Sequence, residues 1–304
     1  MRWFHEGVDH LYIGVMRRLM PPVFRRGIVS APLHDHLAAV ELHLPPLAPG
    51  RRCSLAVQTM VGEVQAGFRW RPASAANRPV LIFHHGLGEM PPDHTFRWTF
   101  RRGPPDAHLV AVCAPFHRSL VDCCRGLASL DRFLAMCAVS MALIETVRRA
   151  LVERGAQGSV VAGISLGGFV TLLHHLTYAT ADRYAPLMAG PDLAHTMLST
   201  PCRGFLAPQA LAQPEHLLAG LDFRQAFQAS NAQRVRPLLA RHDIWMPYDH
   251  HRAVYAAKAV PVTTIDRGHM TGSWAFAALR RHLVSVLRTL PQAEAIAGPE
   301  GQQE

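Results

Sequence analysis

A strand that ends in a serine and turns at once into a helix is the strongest constraint in this sequence. The run Ser159–Ile164 is almost entirely apolar, Ser165 follows it, and an apolar helical pattern starts at Leu166. Three glycines surround the serine: Gly163, Gly167 and Gly168. Because glycine lacks a Cβ, the backbone can turn sharply there without a collision. The G-x-S-x-G pattern predicts a strained turn with Ser165 at its tip, although an ordinary glycine-rich turn would have the same letters.

Composition indicates a folded globular chain without a membrane span. The 304 residues are 49% hydrophobic with a mean hydropathy of +0.07, enough for one large domain or two small ones. No stretch reaches the roughly 20 apolar residues that a spanning helix needs. The first residues lack the basic region and long apolar stretch of a secretory leader, so a cytoplasmic location is expected. The six cysteines are expected to be reduced.

The positive charge comes almost entirely from arginine. The formal net charge is +9, and Lys258 is the single lysine among 31 basic residues. The arginines are scattered, whereas nucleic-acid binding favours a dense basic stripe with aromatic side chains, so no nucleic-acid partner is expected. An anionic lipid surface or an acidic partner stays open. The 19 histidines show no ligand spacing, and we expect neither a metal nor another cofactor.

From residue 79 onward the pattern alternates buried strands with helices, which predicts an α/β fold with a mostly parallel sheet covered on both faces. Residues 66–290 are assigned to this core, and residues 191–233, rich in proline and lacking a strand pattern, to an inserted lid or cap. Residues 1–65 are expected to form a helix and extended strands packed on the core, and residues 291–304 a disordered tail. The predicted strands are Leu37–Leu44, Val64–Arg71, Val80–His84, Leu109–Ala114, Ser159–Ile164, Pro186–Ala189, Val235–Ala240 and Val260–Ile265. The predicted helices are Val8–Met20, Ser129–Arg154, Leu166–Thr177 and Ser273–Leu290.

A serine hydroxyl is a weak nucleophile at neutral pH, so Ser165 needs a base and a group that orients that base. His269 follows the last predicted strand, and Asp243 follows the strand before it. Both therefore lie at the carboxyl edge of the predicted sheet, where catalytic loops gather. Asp266 and Asp192 are alternative acids, because each also follows a predicted strand.

Backbone donors for a developing oxyanion are expected at a second glycine-rich turn, after the strand Val80–His84. The amide of Leu87 in this turn and the amide of Leu166 after the serine are the predicted oxyanion hole. His85 and Gly86 in the same turn are predicted to contact the substrate. An ordinary strand-to-loop turn remains the alternative.

In the chain order Ser165, Asp243, His269, with the His85-Gly86 turn upstream, the sequence resembles the α/β-hydrolase superfamily over about residues 66–290. The sequence is also similar to the group named after α/β-hydrolase domain-containing protein 18. The segments that carry this similarity are the first helix, Asp93-His94, Phe96-Arg97-Trp98 and Ala114-Pro115-Phe116-His117. The resemblance implies a serine hydrolase in which Ser165 attacks an acyl carbonyl, His269 accepts its proton and Asp243 holds the imidazole. It also implies an acyl-enzyme intermediate and places residues 191–233 at the lid position.

The substrate class is less constrained than the chemistry, because one fold serves many functions. A small-molecule acyl ester or a lipid-like ester is expected. The first helix combines apolar residues with arginines, which favours either contact with a membrane surface or packing against the core. Two rival functions stay open: a catalytically silent binding or scaffold protein, and an acyltransferase that uses the same three residues. The sequence does not specify the oligomeric state.

Overall fold

The computed structural model describes residues 1–291, so nearly all of the predicted tail 291–304 lies outside the described residues. Eight strands form one sheet in the order β1-β2-β4-β3-β5-β6-β7-β8. β1 and β2 pair antiparallel, β2 pairs antiparallel with β4, and every other pairing is parallel. The strands are β1 Arg52–Val57, β2 Val64–Arg71, β3 Val80–His84, β4 His108–Cys113, β5 Ser159–Ile164, β6 Arg183–Leu187, β7 Leu238–Ala240 and β8 Thr263–Ile265. The predicted α/β fold class with a mostly parallel sheet is confirmed.

Helices cover both faces of this sheet. They are α1 Arg2–Leu19, α2 Leu33–Ala38, α3 His94–Phe100, α4 Leu120–Gly126, α5 Leu130–Val152, α6 Leu166–Thr177, α7 Leu193–Ser199, α8 Pro208–Ala212, α9 Pro214–Leu221, α10 Arg224–Ala229, α11 Tyr248–Ala256, α12 His269–Ser273 and α13 Phe276–Arg288. α5 and α6 pack on one face, while α3 and α13 pack on the other. The fully buried strands β3, β4 and β5 are therefore continuous apolar runs, as expected for parallel strands with two covered faces.

Successive residues of β3 point into two separate cores. Val80 and Ile82 belong to the larger cluster, whereas Leu81 and Phe83 belong to the smaller one. This follows from the two-residue period of a strand. The central strands thereby hold the sheet rigidly between two packed layers, and the loops at its carboxyl edge have a firm base.

The sequence-based prediction is wrong at the first strand. Leu37–Leu44 is not a strand: it begins in helix α2 and continues as an irregular segment, with one isolated bridge between Glu41 and Gln58. Its alternating Val40, Leu42 and Leu44 pack half-buried against the core without a ladder of partners. The strand that pairs with β2 is β1, whose polar and partly exposed residues hide the strand pattern.

The regular elements of the insertion between β6 and β7 are all helices. They are α7 to α10 and two 3-10 helices, Pro201–Phe205 and Ala232–Arg234. We call residues 191–233 the cap. Helix α1 packs against α12 and against the first of these 3-10 helices.

Within residues 1–291, no helix is long and apolar enough to cross a membrane. All six cysteines lie in this range and are free thiols, four of them buried.

Candidate active site

Ser165 lies at a strained turn between β5 and α6. Its backbone has φ of +54° and ψ of −115°, in a region that residues with a side chain rarely occupy. A Cβ at Gly163 would collide with the carbonyl of Gly167, and one at Gly167 would collide with the carbonyl of His84. A Cβ at Gly168 would come within 2.5 Å of the Ala189 Cβ. The three glycines are therefore required by close approaches, to backbone atoms at Gly163 and Gly167 and to the Ala189 Cβ at Gly168, and they fix the position of Ser165.

We expect Gly167→Ala to lower the free energy of unfolding by about 3 kcal/mol or more, because backbone atoms must move to admit the methyl group. Chemical denaturation followed by circular dichroism measures this. Gly14→Ala is the matched control, since no atom lies within 4 Å of the added Cβ in helix α1. That control is expected to raise stability by up to about 1 kcal/mol. Equal stability of the two variants would contradict the close packing of the turn.

The three residues predicted at the carboxyl edge of the sheet meet in one hydrogen-bonded chain. The Ser165 hydroxyl lies 3.0 Å from His269 Nε2 and can donate to it. His269 Nδ1 lies 2.7 Å from Asp243 Oδ2. The other oxygen of Asp243 accepts the backbone N–H groups of Trp245 and Met246, each at 2.8 Å. Asp243 is thus held from two sides and fixes the imidazole with its Nε2 toward the serine.

The pKa of His269 is raised above its usual value of 6.5. Burial disfavours the charged imidazolium, but the negative charge of Asp243 and its hydrogen bond to Nδ1 outweigh that cost, with a further contribution from the charge of Asp9. This environment suits a base that must accept a proton and hold it briefly.

Neither alternative acid contacts His269. Asp266 is exposed, and its carboxylate accepts a hydrogen bond from His242 Nε2 at 2.6 Å. Asp192 is buried, but its oxygens bond to the backbone N–H of His195, to His250 and to Arg224. Of the three candidates that the sequence leaves open, Asp243 alone lies against the imidazole.

Asp192, His195 and His250 form a cluster whose potential ligand atoms lie within 4.8 Å of one another. The two imidazole rings stack with centroids 3.7 Å apart. Arg224 Nε and His250 Nε2 both donate to Asp192 Oδ2, at 3.1 Å and 3.0 Å. The carboxylate is already paired with a guanidinium, so this cluster favours a structural ion pair of the cap over a metal site.

The predicted oxyanion turn lies beside the serine. A Cβ on Gly86 would be 3.7 Å from the Cβ of Ser165. Within residues 1–291, neither the amide of Leu87 nor that of Leu166 donates a hydrogen bond to another protein group. Two unpaired N–H groups next to a candidate nucleophile can donate hydrogen bonds to a substrate oxygen that gains negative charge.

The prediction that His85 contacts the substrate is corrected by its position. The side chain is fully buried: its Nδ1–H donates to the Gly86 carbonyl at 2.7 Å, and its Nε2 accepts the Ala114 N–H at 3.0 Å. Burial and neighbouring histidines hold its pKa well below 6.5, so the ring is neutral. His85 therefore supports the turn from behind, and Gly86 shares the turn without presenting a side chain.

Two further side chains hold this turn. His117 Nε2 accepts the Gly88 N–H at 3.2 Å. The carboxyl of Glu89 accepts the Gly86 N–H at 3.3 Å and the Thr95 N–H at 2.6 Å. Burial raises the pKa of Glu89 to about 7. These hydrogen bonds from the turn to His117 and Glu89 hold the Leu87 amide in place.

An aromatic wall at His269 was missed by sequence reasoning. The Trp245 ring stacks on the imidazole with centroids 5.2 Å apart and planes within 13°. Tyr12 of α1 and Phe205 of the cap flank the same indole, at 5.8 Å and 6.1 Å. The only sequence signal was the position of Trp245 two residues after Asp243. This wall stabilises a positively charged imidazole through its π-face and lines the site with apolar surface.

Helix α1 also reaches His269, the candidate base, through Asp9, which no sequence signal indicated. The carboxylate of Asp9 is fully buried and accepts the N–H of His269 at 2.8 Å and the N–H of Met270 at 2.9 Å. Beside it, His5 Nδ1 accepts a hydrogen bond from the Thr271 hydroxyl at 2.9 Å. α1 thereby packs on α12 through polar side chains.

The strand order, the serine turn between β5 and α6 and the segment inserted after β6 define an α/β-hydrolase fold. Solved structures agree. An acetyl xylan esterase from Paenibacillus sp. R4 matches with a TM-score of 0.54 and 15% identity, covering 83% of this chain and 88% of its own. Est1E from Butyrivibrio proteoclasticus, solved with ferulic acid, has a TM-score of 0.55 and 12% identity, covering 74% of this chain and 96% of its own.

The enol-lactonase from Burkholderia xenovorans LB400 matches with a TM-score of 0.52 and 11% identity over 74% of this chain and 97% of its own. No protein-family model matches the sequence, and no curated protein matches it either. The sheet topology and the three solved structures together show the α/β-hydrolase fold. The finer similarity to the α/β-hydrolase domain-containing protein 18 group stays a prediction.

Proposed function

We propose that this protein is a serine hydrolase that cleaves a carboxylic ester through an acyl-enzyme on Ser165. The observation that carries the proposal is the continuous chain from the Ser165 hydroxyl through His269 to buried Asp243, placed on a strained turn beside two unpaired amides. The fold shared with esterases and a lactonase is consistent with it. A fold alone does not determine activity; the residues of the site do.

In the proposed reaction the Ser165 oxygen bonds to the ester carbonyl carbon while its proton passes to His269 Nε2. The Leu87 and Leu166 amides bind the resulting oxyanion. The ester C–O bond then breaks, and the alcohol leaves with the proton that His269 held. Water attacks the acyl-enzyme, gives a proton to His269, and the acid departs as that proton returns to the Ser165 oxygen. Asp243 keeps Nδ1 protonated throughout and stabilises the imidazolium.

The substrate class is proposed to be a small-molecule or lipid-like ester with an apolar group. Trp245, Tyr12 and Phe205 give the site a largely apolar wall next to the imidazole. Within the described residues, His269 is the basic side chain that forms a hydrogen bond or ion pair with the Ser165 and Asp243 side chains. The protein is expected to act in the cytoplasm, without a nucleic-acid partner or a cofactor.

A fluorophosphonate probe, which reacts with an activated serine, tests this proposal against a silent scaffold. We expect labelling of Ser165 and hydrolysis of p-nitrophenyl esters, with a preferred acyl length that reports the depth of the site. Folded protein that neither reacts with the probe nor cleaves any ester of the series would favour the scaffold. Product analysis with a competing alcohol separates hydrolysis from acyl transfer, because a transferase would form the new ester.

A further inference from the structure

Helix α1 buries polar side chains and exposes apolar ones, which is the reverse of a helix that only packs on a core. Its buried residues are His5, Asp9 and Ile13, two of them polar. Five of its exposed side chains are large and apolar: Trp3, Phe4, Leu11, Val15 and Leu19. Leu11 is 70% exposed and Trp3 is 79% exposed. A surface helix normally turns its apolar side inward, so an outward apolar face indicates a further binding partner.

The charges around this face are positive. The last turn of α1 carries exposed Arg17 and Arg18. Of the two acidic residues in the helix, Glu6 is paired with Arg2 at 2.7 Å and Asp9 is buried. No carboxylate of α1 is therefore left to repel an anionic surface. The helix is about 27 Å long, so the face is large enough for a helix lying in a membrane interface.

We propose that the outer face of α1 binds the surface of a membrane that contains anionic lipids. The apolar side chains would enter the boundary between headgroups and acyl chains, and the arginines would lie among the lipid phosphates. A second copy of the chain is a poorer occupant, because it would bring the arginines of two helices to one interface without an exposed carboxylate of α1 to pair with them.

The inner side of the same helix carries Tyr12, which contacts the Trp245 wall at the candidate active site. A membrane bound to α1 would therefore lie on the far side of the helix from the candidate active site. If the proposed hydrolase function holds, this placement favours a lipid-like ester delivered from the membrane surface. The binding itself does not depend on that function and can be measured separately.

Co-sedimentation with vesicles tests the surface. Wild-type protein is expected to bind vesicles of phosphatidylcholine mixed with phosphatidylglycerol, to bind pure phosphatidylcholine weakly, and to release at high salt. Leu11→Ser combined with Val15→Ser should reduce binding about tenfold or more, since two apolar side chains no longer leave water. Leu218→Ser is the matched control, because Leu218 is an exposed apolar residue of the cap, 45% accessible.

Absence of wild-type binding to the mixed vesicles, or equal binding by the double variant, would overturn the proposal. A dimer that the double variant dissociates, seen by size-exclusion chromatography without vesicle binding, would assign the face to a second copy. Esterase activity of the double variant toward a water-soluble ester should stay unchanged. Loss of vesicle binding is therefore distinguishable from loss of the proposed catalysis.

The inner side of α1 carries a buried carboxylate, that of Asp9. Asp9 accepts the N–H groups of His269 and Met270. A Cβ on Gly268 would come within 2.8 Å of Asp9 Oδ2 and 3.0 Å of the His5 carbonyl, so the approach is tight. The carboxylate thereby fixes the backbone from which the candidate base projects.

We infer that Asp9 is a positioning residue for His269, an inference that rests on the proposed hydrolase function. Asp9 acts through the main chain of α12 and contributes a negative charge near the imidazole. A residue that only packed α1 on the core would affect stability, whereas Asp9 should also affect the turnover number and the pH at which activity appears.

Asp9→Asn tests the inference, with Glu6→Gln as the matched loss of a carboxylate from the same helix. We expect Asp9→Asn to lower kcat about tenfold to a hundredfold with little change in KM, because one backbone N–H would face the new amide group. The acid limb of the pH profile should move to lower pH, since a charge that favours the imidazolium is gone. Glu6→Gln should change neither.

If Asp9→Asn does not fold, Gly268→Ala gives the same test by pushing α1 away from α12. Fluorophosphonate labelling distinguishes failure of the proposed hydrolase function from failure of the positioning role of Asp9. A wild-type protein that is never labelled would refute the proposed function. A labelled wild type with folded variants that match it in labelling rate, kcat and acid limb would refute the role of Asp9 alone.

Discussion

Replacing Ser165 with alanine should lower kcat for ester hydrolysis by about 10⁴- to 10⁶-fold. The variant loses the oxygen that would form the acyl-enzyme, while His269, Asp243 and the two unpaired amides stay in place. The free energy of unfolding should change by no more than about 1 kcal/mol, because the substitution removes one half-buried oxygen and keeps the Cβ at the same strained turn. Hydrolysis of a p-nitrophenyl ester, probe labelling and thermal unfolding measure these three quantities.

Ser285→Ala is the control for serine chemistry in general. Ser285 lies on α13, and within residues 1–291 its hydroxyl donates only to the carbonyl of His282 in the same helix. The Ser285→Ala variant should keep wild-type turnover and wild-type probe labelling. Wild-type turnover in folded Ser165→Ala protein would refute the acyl-enzyme on this serine, even if the protein hydrolyses esters.

Replacing Asp243 with asparagine should lower kcat by about 10³- to 10⁴-fold. The amide cannot stabilise an imidazolium, and it can present an N–H to Nδ1, which places the imidazole proton on Nε2 and leaves Ser165 without an acceptor. The pH profile should change as well. In the wild type, activity rises with pH as His269 loses its proton, at an apparent pKa above 6.5. Without the charge of Asp243 this limb should move to lower pH, opposite to the direction in which Asp243 shifts the pKa.

The alternative acids are the matched controls for this result. Asp266→Asn removes an exposed carboxylate that pairs with His242 and should leave kcat within about fivefold of wild type. Asp192→Asn breaks a buried ion pair of the cap, so it should reduce stability more than turnover. A collapse of kcat in folded Asp192→Asn with normal turnover in Asp243→Asn would reassign the acid.

The centre of the fold was predictable because its constraints are local. β5 and α6 have the predicted bounds, Ser159–Ile164 and Leu166–Thr177, since an apolar run and close glycines leave few other structures. The strands β7 and β8 are shorter than predicted, because the apolar residues before them belong to the core without being part of a ladder. β1 escaped detection because it lies at the edge of the sheet, where exposed polar residues alternate with buried ones.

The candidate site was predictable to the extent that it depends on where strands end. Ser165, Asp243 and His269 follow strands at one edge, so the topology brings them together. Which way a side chain points is not encoded locally, and His85 therefore faces the interior instead of the substrate. Asp9 lies 260 residues before His269 in the chain, and only the packing of α1 on α12 brings them into contact.

The parallel stacking of Trp245 on His269 gives the protein an optical signal of its own. A protonated imidazole accepts an electron from an excited indole and quenches its emission, while a neutral imidazole quenches it far less. The fluorescence of Trp245 should therefore brighten as His269 loses its proton, in the absence of any substrate. Trp98 and Trp70 also lie beside histidines, with ring centroids 6.0 Å from His94 and 6.1 Å from His108. Replacing both with phenylalanine therefore isolates the signal of Trp245, whose ring centroid lies 5.2 Å from that of His269.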